Sequence, residues 1–125
     1  MKKSIMSLVA TIEDIDKFYQ SNKILIDGLL KKFENIFILN LYNLKIFTKK
    51  NLIKANGNLP KEIKIINFKK SDEFKKFCSQ YKIVSISFIS KDLTDFKIQF
   101  LLKKNKIKLI MIMYFSQIGN NMTID

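Results

Sequence analysis

The sequence predicts a single α/β domain, doubly wound, in which about five mainly parallel strands carry helices on both faces. Three observations predict it. Short runs rich in Ile, Val, Leu and Phe recur along the chain, and runs that are apolar at nearly every position suit strands buried on both faces. Stretches whose apolar residues lie three and four apart separate most of them, as the helical crossovers between parallel neighbours require. The chain has 125 residues, 47% of them hydrophobic, and a chain of this size can bury roughly two-thirds of the surface it exposes when unfolded. One domain is expected over residues 1–125.

The first strand is read over Ser4 to Ile12, carried by Ile5, Met6, Leu8, Val9 and Ile12. Glu13, Asp14 and Asp16 come next, and Ile15, Phe18, Leu25, Ile26, Leu29, Leu30 and Phe33 share one helical face, so one helix is expected from Ile15 to Phe33. Its acidic start and the Lys31-Lys32 pair near its end suit the helix dipole. Gly28 inside it costs about 1 kcal/mol relative to Ala, which points either to close approach to the sheet or to unforced drift. Ile36 to Leu41 (IFILNL) reads as the second strand. Between Tyr42 and Leu59, Leu44, Ile46, Phe47, Leu52 and Ile53 support a short helix before the turn signal Asn56-Gly57-Asn58 and Pro60.

Glu62 to Phe68 (EIKIINF) is the third strand. Ser71 is placed to cap a helix with Asp72 and Glu73 in its first turn and an apolar stripe of Phe74, Phe77, Cys78 and Tyr81. Ile83 to Ile89 (IVSISFI) is the fourth strand, Thr94 or Asp92 would cap a helix bearing Ile98, Leu101 and Leu102, and Ile107 to Phe115 closes the series. Right-handed crossovers then set the first strand centrally, beside the fourth, in a Rossmann-like arrangement.

The formal net charge is +12, yet all 23 basic residues are Lys and none is Arg. Lys attracts polyanions but lacks the bidentate fork that reads guanine edges and clamps phosphates, so specific nucleic-acid binding is not expected. Lys, Ile, Asn and Phe supply 66 of the 125 residues, a composition that AT-rich coding produces by itself. The Lys pairs at 31-32, 49-50, 69-70, 75-76 and 103-104 read first as solvated charge and, in functional terms, as attraction to anionic lipid headgroups. Cys78 is the single cysteine. No internal disulfide can form, and a cytoplasmic location is expected, with peripheral contact at the inner membrane face as the extension of the basic charge. The longest apolar run, Leu109 to Phe115, falls far short of the ~20 residues of a spanning helix.

The missing residues bound the chemistry. With no His and one Cys, the chain cannot build a His or multi-Cys zinc site, a Ser-His-Asp triad or a Cys-His dyad from its own residues. Glycines stand only at 28, 57 and 119, so neither GxGxxG nor a Walker A loop can be written, and no metal or cofactor is expected. In open α/β sheets ligands bind beyond the carboxyl ends of the strands. The substrate-binding candidates are therefore Thr11 and Glu13 (with Asp14) after the first strand, Asn40 (with Asn43) after the second, Ser90 and Asp92 after the fourth, and Ser116 (with Gln117) after the fifth. Glu13 and Asp92 would form a carboxylate pair for acid or base work if their strands are neighbours. Helix capping by Glu13, Asp14 and Asp92 is the commoner use of such residues. No catalytic residue is identified. Cys78, on the apolar stripe of its helix, is expected to be a buried, inert thiol.

Three segments carry a resemblance: SIMSLVATI running into a long helix, ILIDGLLKKFENIFILNLYNL as helix then strand, and YKIVSISFISKDLTDFKIQFLLKKNKIKLIMIMY as strand-helix-strand. Their order resembles the N-terminal, acceptor-side half of GT-B-fold glycosyltransferases of the bacterial surface-polysaccharide type. The resemblance implies a domain that binds a glycan or lipid-linked acceptor, pairs with a second Rossmann-like domain or subunit holding the nucleotide-sugar, and is inactive alone. It also implies that the chain is half of a longer or split protein. ATIEDID departs from the family in lacking the glycine-rich loop that often follows the first strand. A stand-alone flavodoxin-like binding or signalling module and a basic nucleic-acid-associated protein are the alternative readings.

Overall fold

A computed structural model describes residues 2–44, 57, 59–89 and 96–112. Along the chain run β1 (Lys3–Ala10), α1 (Ile15–Ser21), α2 (Lys23–Leu30), β2 (Ile36–Asn40), a 3-10 turn (Tyr42–Leu44), β3 (Ile63–Asn67), α3 (Ser71–Gln80), β4 (Tyr81–Ser87), α4 (Phe96–Lys104) and β5 (Lys108–Ile112). The strands form one sheet in the order β3-β2-β1-β4-β5. Every adjacent pair is parallel, so the doubly wound sheet is present with the first strand central and beside the fourth. This is the order of a Rossmann half. A flavodoxin-like sheet runs 2-1-3-4-5, an order that this sheet does not share.

Because side chains alternate across a strand, β1 serves two cores. Met6, Leu8 and Ala10 pack with Ile15 and Tyr19 of α1 and Ile26 of α2. Ile5 and Val9 pack on the other face with Phe74 of α3 and Ile98, Leu101 and Leu102 of α4. Ser7 of β1 and Ser85 of β4 are partners in register and fully buried. Their hydroxyls find backbone acceptors: Ser85 Oγ donates to Ser7 O at 3.3 Å and Ser7 Oγ to Val84 O at 3.4 Å. Two hydroxyls thus sit inside the apolar sheet without an unmet donor.

Several expectations change. The helix expected from Ile15 to Phe33 is two helices, interrupted at Asn22, whose backbone leaves helical values (φ −119°, ψ 21°). Asn22 turns its side-chain amide back to Phe18 O at 2.9 Å, the local competition that makes Asn a helix interrupter. Tyr19 rejoins the pieces by donating its hydroxyl to Asp27 Oδ1 at 2.9 Å. Gly28 marks no close approach: a Cβ there would meet nothing within 4 Å. The α3 start is capped by Glu73 rather than Ser71, its Oε1 accepting from the Lys69 and Lys70 N–H groups at 2.8 and 3.0 Å. Tyr81, expected on the helical stripe, is already the first residue of β4 because α3 passes into that strand without a loop. Of the stretch from Tyr42 to Leu59, the described part begins with the 3-10 turn; residues 45–56 and the caps Asp92 and Thr94 lie outside the described residues. No helix among the described residues is long and apolar enough to cross a membrane.

Candidate functional site

The carboxyl end of β1 is held from both sides. Leu41 N–H donates to Ala10 O, and Phe88 N–H, just beyond β4, donates to Val9 O, both at 2.8 Å. The chain then turns through Thr11-Ile12-Glu13 to Asp14, the N-cap of α1, whose Oδ1 accepts from Lys17 N–H at 3.1 Å. That capping bond commits Asp14 to the scaffold, as expected of an acidic residue at a helix start. Beside the turn lies an open crevice of about 460 Å³, lined chiefly by Thr11, Glu13, Asp14, Lys17, Phe18 and Ser21. The Phe18 ring meets Phe88 edge-on at 5.2 Å and 75°, which ties the apolar wall of the crevice to the end of β4.

Asn40 at the end of β2 is fully buried and makes four side-chain hydrogen bonds. Its Oδ1 accepts from Ile12 N–H at 2.8 Å and Tyr42 N–H at 3.2 Å; its Nδ2 donates to Ile12 O at 2.8 Å and Asn67 Oδ1 at 2.9 Å. An amide has two donors and two main acceptor positions, so Asn40 has no hydrogen-bonding capacity left for a ligand. It is a bracket joining the ends of β1, β2 and β3, and it fixes the Ile12 peptide between Thr11 and Glu13.

Glu13 is exposed, and the Tyr42 hydroxyl lies against its carboxylate. The Tyr42 pKa is raised, first by burial and then by the charge and hydrogen bond of Glu13. Tyr42 therefore stays a neutral donor at physiological pH and holds the carboxylate at the crevice rim. Asn43, in the same turn, has a buried Oδ1 with no hydrogen-bond partner. Thr11 and Glu13 thus stand together in the crevice, Asn40 lies behind it, and Ser90, Asp92, Ser116 and Gln117 fall outside the described residues. The proposed Glu13–Asp92 pairing lies outside them too.

Sequence reasoning did not single out Lys17, Phe18 or Tyr42 as site residues. Phe18 lies on the apolar helical face and packs against the core, and its position one turn after Asp14 also places it in the lining of the crevice. Elsewhere, Cys78 is half-buried and its thiol is pushed up to about 11 by burial, so at neutral pH it is a thiol and not a thiolate. Among the described residues no group of three or more Cys, Asp or Glu is placed to hold a metal ion. In comparisons with known proteins, no family model matches this chain, and no curated protein or solved structure matches it significantly.

Proposed function

We propose that the chain is the acceptor-side Rossmann-like half of a glycosyltransferase of cell-surface polysaccharide assembly. It would bind a glycan in the crevice after β1, leave the nucleotide-sugar to a second Rossmann-like domain, and have no transfer activity alone. The observation that carries the reading is the chemistry of that crevice at the carboxyl end of the central strand. Thr11 and Ser21 hydroxyls, the Glu13 carboxylate and the Lys17 ammonium surround one aromatic ring, Phe18. Such a set suits a neutral, polyhydroxylated ligand: charged groups bond strongly to hydroxyls, and a ring accepts the apolar face of a sugar. The same turn is poorly built for a diphosphate. Glu13, Asp14 and Asp16 stand at the start of α1, and three carboxylates outweigh a helix terminus equivalent to about half a positive charge.

Amide NMR of the full chain tests the reading. A neutral oligosaccharide should shift residues 11–22, and Glu13→Gln should weaken that effect. UDP- and GDP-sugars should leave those amides unmoved. A micromolar nucleotide-sugar site in the crevice would sink the acceptor-side assignment.

A further inference from the structure

The opposite end of the sheet has a different character. At the amino ends of β1, β4 and β5, against the ends of α3 and α4, lies a second cleft of about 410 Å³. Lys2, Lys82 and the pair Lys106 and Lys108 contribute to it from three separate parts of the chain, and no carboxylate lines it among the described residues. Tyr81, Ile83 and Ile107 add apolar surface. From Phe96 to Ile112 every charged residue is Lys. The carboxyl ends of two helices face this region, each equivalent to about half a negative charge, so the four ammonium groups still leave a net of about three positive charges.

The backbone supplies a second observation. Lys106 has φ 55°, the left-handed conformation that glycine adopts without steric cost and that a side chain resists. It stands just past the α4 terminus, where Lys106 N–H donates to Lys103 O at 3.2 Å and Ile107 N–H to Leu102 O at 3.4 Å, the helix-ending pattern that most often carries glycine. A strained backbone at a lysine, where glycine would serve without strain, is grounds for seeking a function for its side chain.

We infer that this cleft binds a phosphate-bearing anion, held by Lys2, Lys82, Lys106 and Lys108 at the end of the sheet remote from the crevice. Lys supplies compact, mobile positive charges suited to phosphate oxygens without demanding bidentate geometry. The inference does not depend on the glycosyltransferase reading.

Pyrophosphate is the probe, titrated into the full chain at about 150 mM salt and followed by amide NMR. Saturable shifts are expected at Lys2, Tyr81 to Ile83 and Asn105 to Lys108, with residues 11–22 unmoved. Lys82→Gln with Lys108→Gln should weaken binding about tenfold or more, given the strength of charge-assisted hydrogen bonds. Lys31→Gln with Lys32→Gln, an equal change of net charge just past α2, should leave it unchanged. Lys106→Gly should bind more weakly while keeping or raising the unfolding midpoint, which separates loss of the ligand from loss of the fold. Phosphatidylglycerol vesicles that displace pyrophosphate would assign the anion to a lipid headgroup, and vesicles that do not would assign it to a free phosphate. Unsaturable shifts, binding abolished by the salt, or equal weakening by both double substitutions would overturn the site.

Discussion

Replacing Asn40 by Ala should be among the most damaging single substitutions in this chain, although the position contributes no apolar side chain to either core. The substitution strands four partners: the N–H and C=O of Ile12, the N–H of Tyr42 and Oδ1 of Asn67. They do not lose equally. Asn67 is exposed and Tyr42 partly so, so water replaces some of what they give up. Ile12 is only 4% exposed, and its two backbone groups each bear a desolvation penalty of about 1–3 kcal/mol when left without a partner. Adding a small cavity term, the expected loss is about 3–5 kcal/mol, a large share of the roughly 5–15 kcal/mol that stabilises a typical domain. For a chain of this length the unfolding entropy is about 0.26 kcal/mol/K, so the midpoint should fall by about 15 °C. Urea denaturation followed by circular dichroism measures it, with Asn67→Ala as the control that should cost less than about 1 kcal/mol. A loss below about 1 kcal/mol for Asn40→Ala would refute the bracket. Asn40→Asp should also destabilise, since it keeps the volume but sets a carboxylate oxygen against Ile12 O.

Three further outcomes are expected. Gly28→Ala should stabilise the protein by about 0.5–1 kcal/mol, because Gly28 lies exposed within α2 and the new methyl meets nothing; a lowered unfolding midpoint would contradict this. Glu73 is held below its ordinary value of 4.5, first by the Lys69 N–H and then by the Lys70 N–H. Its stabilisation is therefore present above that ordinary value and lost as pH falls through the lower folded one, so the stability difference between the native chain and Glu73→Gln should shrink on acidification, as pH-dependent urea midpoints would reveal. Cys78, with its thiol raised from an ordinary 9.0 to about 11, carries about 100-fold less thiolate at pH 7.5 than an unshifted cysteine. Its reaction with a disulfide reagent should be correspondingly sluggish until denaturant is added; a rate matching that of a free thiol would show the burial to be wrong.

The inner strands β2, β1 and β4 were legible because burial on both faces leaves nearly continuous apolar runs, and the sheet order followed from connection rules rather than from any residue. The break at Asn22 was hidden by periodicity. Phe18, Leu25, Leu29 and Leu30 all adjoin the same core, so the apolar spacing continues across the interruption and carries no trace of it. Residue preference points to Ser71 as the cap of α3, whereas Glu73 reaches backwards to two N–H groups. At the site, position after β1 was enough to find Thr11 and Glu13. Asn40 shared that logic but not its outcome: an Asn at a strand end offers the same groups to a ligand or to neighbouring strands, and only the arrival of Ile12 and Asn67 decides between them. Tyr42 escaped notice because its role depends on Glu13, which lies far away in sequence and close in space.

The central position of β1 sets a timetable for synthesis. Lys3 pairs with Tyr81 and Val9 with Ser87, so β1, once out of the ribosome, must wait for β4. About 77 residues separate Ala10 from Ser87, and at translation rates of ~5–20 residues per second the delay is about 4–15 s. β2 and β3 can add to one side of β1 in that interval, with α1 and α2 covering one face. The other face, with Ile5 and Val9, stays open along with the unpaired edge that β4 will fill. A nascent chain in that condition invites pairing with strands of other molecules, so its yield in the cell should depend on chaperones that shield an emerging half-sheet and on the speed with which codons 11 to 87 are read.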